Sequence, residues 1–127
     1  MAYLLAALGG ALGALARWGI AVALPSSSTG WPWATLLVNL TGCLLLGALF
    51  AVLSARFPDA GWPRPLLAVG LLGGYTTYSA FAVEVVRLAE SGAVMTAGAY
   101  VGISVLGGVA AVAAGTLAAH GVLGRPA

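Results

Sequence analysis

Asn39 sits within the apolar run Leu36-Leu37-Val38-Asn39-Leu40. A primary amide left unpaired in such a setting costs several kcal/mol. Two readings account for it: a hydrogen bond to another helix, or a donor aimed at a polar path. Thr35 stands one turn earlier on the same face by i, i+4 spacing. Tyr100 and Ser104 repeat that spacing later in the chain and place two hydroxyls on one face. They serve either as packing contacts or as a short hydroxyl track. Glu84 and Arg87 are three residues apart, within pairing distance on a helix. Thr41 points away from Asn39, where it can bond its own helix backbone.

The densest cluster is Gly73-Gly74-Tyr75-Thr76-Thr77-Tyr78-Ser79-Ala80-Phe81. Adjacent glycines followed by two threonines weaken a helix at the centre of an oily segment. Backbone groups freed there cannot face lipid and must find protein, water or an ion. Channels and transporters use such interruptions to turn half-helix ends toward ions. Tyr78 and Phe81 are three apart, so their rings share a face. Ring edges are electropositive and suit an anion, whereas ring faces suit a cation. The sequence leaves open which is presented.

These residues must be positioned by elements that suit lipid. The chain has 127 residues, of which 61% are hydrophobic and only 6% charged. Soluble domains carry about 25% charged residues, so this chain cannot cover a water-facing surface. Its net charge of +2 is too small and scattered for nucleic acid. Cys43 is the only cysteine, which excludes an intrachain disulfide, and His120 is also single. No nucleophile, acid–base pair or metal cluster supports an enzyme. The apolar start lacks a basic leader region and reads as a retained helix rather than a signal peptide.

A bilayer span needs about 20 mostly apolar residues. Four segments qualify, at about 3–24, 33–53, 66–88 and 94–119, in one domain covering 1–127. Breaker-rich connections separate them: Pro25 to Gly30, Ser54 to Pro65, and Ala89 to Gly92. Trp31, Trp33 and Trp62 flank spans, where amphipathic rings favour the interface. With four spans, Arg56, Arg64 and Arg125 fall on one side and Arg17 and Arg87 toward the other. So even a split gives the positive-inside rule little to act on. Either one orientation wins through other features, or both insert. Gly9/Gly13 and Gly98/Gly102 form GxxxG pairs, and Gly42 and Gly47 add small positions that favour close helix packing.

Three patches together resemble the Fluc (CrcB) family of fluoride channels. Gly9 to Trp18 is similar to that family's GGxxGAxxRY start, Thr35 to Gly47 to its TLxVNxxGSFxLG helix, and Gly73 to Phe81 to its GGxTTFSTF signature. The resemblance covers essentially the whole chain. It implies an all-α membrane protein with four transmembrane helices, a break in the third, and an antiparallel, dual-topology homodimer. It implies passive export of fluoride across a bacterial-type inner membrane. The implied fluoride pathway is Asn39, Tyr78, Ser79, Phe81, Tyr100 and Ser104, with Arg17 and Glu84 as vestibule residues. The implied cofactor is a central structural Na⁺, held by the backbone carbonyls of Gly73 and Thr76. The implied partners are fluoride, the lipid bilayer and a second copy of the chain. Tyr78 stands where the family has Phe, Ala80 where it has Thr, and Cys43 where it has Ser. A small dual-topology, proton-coupled exporter of the drug-resistance type is the rival reading. It needs an acidic residue in the first helix, and this helix has only Arg17.

Overall fold

The computed structural model describes residues 1–27 and 30–124. Ser28, Thr29 and residues 125–127 lie outside the described residues, including the Arg125 used in the charge split. Among the described residues, all regular structure is helical. Helix α1 spans Ala2–Ala23 and α2 spans Trp33–Arg56. A π-helical segment, π1, spans Arg64–Leu72 and passes into a single α-turn, α3, at Gly73–Tyr75. Helix α4 spans Tyr78–Glu90 and α5 spans Val94–Leu123. Four stretches are long and apolar enough to cross a bilayer, the third being Arg64–Glu90. Helices α2 and α5 run a few residues beyond the sequence expectation, to Arg56 and Leu123. The added turn is Ser54–Arg56 in α2 and His120–Leu123 in α5.

Local chemistry explains most of the boundaries. Helix α1 stops at Leu24, next to Pro25. Proline disfavours helical backbone in the residue before it. Helix α4 is capped by Thr77, whose side chain accepts the Ala80 amide, the usual role of a threonine at a helix start. It ends in a turn around Gly92, where φ is +86°. The Ala93 amide reaches back to the Leu88 carbonyl at 2.9 Å, and the Ser91 amide to Arg87 at 3.0 Å. A left-handed glycine lets the chain reverse while these terminal carbonyls stay bonded.

Packing follows the logic of lipid. Large apolar side chains point outward: Leu106, Val109 and Leu117 are 74%, 68% and 71% exposed. Small residues lie between helices. A Cβ at Gly47 would collide with the Val112 carbonyl, and one at Gly115 with the Leu44 carbonyl. Helices α2 and α5 therefore touch backbone to backbone. Gly9 and Gly13 bring α1 onto π1 and α3 in the same way, against carbonyls of Leu66 and Leu71. Without a hydrophobic drive between helices, such close approach supplies the dispersion contact that holds them. Gly98 and Gly102 meet nothing within 4 Å in this chain.

Candidate functional site

The site is built around two residues that leave helical geometry. Thr76 has φ −77° and ψ 159°, and Thr77 has φ −149° and ψ 120°. The Thr76 amide still closes α3 by donating to the Leu72 carbonyl at 2.9 Å. Beyond it the helical ladder is diverted. In a continuous helix the amides of Thr77 and Ala80 would donate to the carbonyls of Gly73 and Thr76. Here the Thr77 amide donates to Asn39 Oδ1 at 2.8 Å, and the Ala80 amide to Thr77 Oγ1 at 3.2 Å.

Asn39 completes a ring of two bonds. Its Nδ2 donates to the Thr77 carbonyl at 2.9 Å. The side-chain amide thus pairs with the Thr77 peptide groups as one strand pairs with another, and both extended-backbone groups are satisfied. One Nδ2 hydrogen remains, since a primary amide carries two donors. The structure thus shows the interhelical hydrogen bond, one of the two readings of Asn39. Two further contacts brace the interruption. Arg17 Nε donates to the Gly74 carbonyl at 3.1 Å. The Tyr75 hydroxyl lies 2.8 Å from Thr41 Oγ1, which itself donates to the Leu37 carbonyl at 2.6 Å. Thr41 therefore bonds its own backbone and also ties α2 to α3.

Glu84 gathers the second polar group. Thr35 Oγ1 donates to its Oε1 at 2.7 Å, and the Tyr100 hydroxyl donates to its Oε2 at 2.7 Å. One carboxylate thereby joins α2, α4 and α5. Spacing allows Glu84 to pair with Arg87, but in the structure its two oxygens accept from hydroxyls on facing helices. Tyr100 is fully buried. Its ring lies 5.3 Å from that of Phe81 and 5.8 Å edge-on from that of Trp31. Tyr78 and Phe81 are 5.9 Å apart and tilted by 45°. One turn beyond Tyr100, the buried Ser104 hydroxyl has no hydrogen-bond partner.

A cleft of about 390 Å³ brings together Asn39, Gly73, Thr76, Tyr78, Phe81 and Ser104. The remaining pathway candidates lie elsewhere. Ser79 lines a second cleft with Arg17, Thr77, Glu84 and Arg87. Tyr100 lines neither cleft and reaches the site through Glu84.

A sequence model for the family described as "CrcB-like protein, Camphor Resistance (CrcB)" matches residues 4–116 of this chain. The chain belongs to the CrcB-like family. It is a multi-pass integral membrane protein by that membership and by its four membrane-length helices. A Bordetella petrii protein named fluoride-specific ion channel FluC is 45% identical over 118 residues, covering 93% of this chain and 91% of that relative. Proteins of the same name from Hyphomonas neptunium and Stutzerimonas stutzeri are 44% and 45% identical. The alignments cover 86% of this chain in each case, and 87% and 89% of those relatives.

Some residues of this CrcB-like site carried only a weak sequence signal. Thr35 was visible as the i, i+4 neighbour of Asn39, but its bond to Glu84 depends on how α2 meets α4. Thr77 meets Asn39 through its peptide groups, which any residue but proline would supply. Tyr75 looks like one more aromatic until its hydroxyl is found on Thr41. The π winding of Arg64–Leu72 had no sequence signal.

Proposed function

We propose that this chain is a fluoride channel that lets the ion leave the cell passively. The observation that carries the proposal is the clustering of Asn39, Tyr78, Phe81 and Ser104 around one cleft beside the Thr76–Thr77 interruption. The names of the relatives support the choice of ion. Fluoride is small and holds water tightly, so a pore must replace hydration with donors. The free Asn39 amide hydrogen and the unpartnered Ser104 hydroxyl are such donors. Aromatic edges at Tyr78 and Phe81 add weak positive potential. The cleft residues include no arginine or lysine, as conduction requires, since a fixed cation would hold the anion too tightly.

The functional unit in this proposal is an antiparallel homodimer. A single copy leaves Tyr78 80% exposed and the cleft open along one side. The outward Gly98/Gly102 stripe is suited to close contact with another helix. A helix break at Thr76–Thr77 also gives Na⁺ a place. The amides that would occupy the Gly73 and Thr76 carbonyls bond elsewhere, and hard carbonyl oxygens suit a small hard cation. Two copies related by a twofold axis would supply four such oxygens. The ion would hold the two half-helix ends together and take no part in conduction.

Purified protein in liposomes loaded with fluoride and chloride provides the test. A fluoride-selective electrode should record rapid fluoride release, while chloride stays inside. Equal release of both ions, or none from correctly assembled protein, refutes the proposal.

A further inference from the structure

The family resemblance implies a vestibule place for Arg17, yet its hydrogen bond is to the protein backbone. Gly9, Gly13 and Arg17 follow i, i+4, i+8 spacing and lie on one face of α1. The two glycines press α1 against π1 and α3, where a Cβ would collide with carbonyls of Leu66 and Leu71. Gly74 returns the contact, since a Cβ there would strike the Gly10 carbonyl. The glycine face therefore sets how far Arg17 reaches over the end of α3. There its Nε donates to the Gly74 carbonyl at 3.1 Å.

That carbonyl needs a partner. The amide four residues on belongs to Tyr78, which opens α4 beyond the extended Thr76 and Thr77. Gly74 follows Gly73 directly and, with Tyr75, separates it from Thr76, the two carbonyl positions proposed to face Na⁺. We infer that Arg17 is a positioning residue: it fixes the Gly74 peptide and so orients the neighbouring Gly73 carbonyl toward the cation. The inference rests on the proposed Na⁺ site. The guanidinium also offsets the negative potential at this helix end. Its other N–H groups remain available to the second cleft, which Arg17 lines with Ser79 and Arg87.

The effect of Arg17 on cation binding has a diagnostic sign. A bare positive charge near a Na⁺ site repels the ion, so removing it tightens binding. A positioning contact does the reverse. Parent, Arg17→Gln and Arg17→Lys proteins are purified as dimers, and their melting midpoints are titrated with NaCl against N-methylglucamine chloride. Arg17→Gln keeps an amide donor but is shorter and neutral, and Arg17→Lys keeps the charge but not the Nε geometry. Both variants should need about tenfold more Na⁺ for half-maximal stabilisation, the scale of one charge-assisted hydrogen bond. Amide exchange at residues 75–78 should quicken about tenfold, with the α2–α5 seam unchanged. Unchanged or tighter Na⁺ response in Arg17→Gln, with unchanged exchange, overturns the inference. If the parent itself ignores Na⁺, the cation reading fails, and this inference fails with it. Normal fluoride flux from that parent would leave the channel reading intact.

Discussion

Asn39 and Thr77 form the smallest bonded unit of the candidate site. The two bonds between them use the Asn39 oxygen as acceptor and one amide hydrogen as donor. Asn39→Asp keeps the acceptor but places a carboxylate oxygen against the Thr77 carbonyl. It also removes the second amide hydrogen, the one proposed to meet the anion. Leaving a buried partner unsatisfied costs about 1–3 kcal/mol, so fluoride flux should fall at least about fivefold in liposomes. Near-normal flux from an assembled Asn39→Asp dimer would remove Asn39 from the pathway. Tyr78 allows a cleaner separation, because ring edge and hydroxyl can be removed one at a time. If the edge is what matters, Tyr78→Phe conducts like the parent and Tyr78→Ile conducts poorly. A parent-like Tyr78→Ile would show that the edge is dispensable. The partner of Asn39 was not legible in the sequence. Spacing placed the amide mid-span, but only the approach of α2 to the Thr76–Thr77 interruption chose a peptide over another side chain.

The helices are held by close backbone contact, so glycine substitutions report on packing directly. Gly115 sits where a Cβ would strike the Leu44 carbonyl, whereas Gly121 on the same helix meets nothing within 4 Å. Gly115→Ala must displace α2 from α5, and overpacking of this kind costs about 1–3 kcal/mol. Gly121→Ala lacks that penalty and gains helix propensity. Thermal denaturation in detergent should therefore show a clear loss for Gly115→Ala and none for Gly121→Ala. Equal melting temperatures would mean that the α2–α5 seam relaxes without cost. The GxxxG pattern flagged Gly9 and Gly13 correctly as close-packing positions. It did not flag Gly115, whose role depends on which residues of α2 lie opposite.

At the scale of the whole molecule, the open question in the sequence was orientation. The near-even arginine split gives neither topology a strong advantage. The proposed antiparallel dimer requires both. Single reporter cysteines placed between Phe57 and Trp62, on a Cys43→Ala background, should react with impermeant reagents from both membrane faces to comparable extents. Reaction from one face only would exclude two oppositely inserted copies. The proposed assembly would also change the meaning of the exposed residues. Tyr78 is 80% exposed in one chain, a surface that a second copy is proposed to cover.

The sequence by itself determined the solvent, the helical class and the inventory of polar side chains. So few charges and four long apolar runs leave lipid as the matching environment, and in lipid a helix satisfies its own backbone. It also marked Gly73 to Phe81 as the place where that self-sufficiency weakens. Tertiary structure decided which partners complete the bonding there. Spacing allowed Glu84 to pair with Arg87, one turn along its own helix, but Thr35 and Tyr100 approach from two other helices and donate to its two oxygens. Ser79 was grouped with Asn39 and lies on a different cleft. Arg17 looked like a mouth residue and is bonded to a helix end 57 positions away. Spacing along a chain reports only neighbours on the same element. Contacts between elements depend on how closely their backbones approach, and here that distance is set by glycines whose partners no local pattern names.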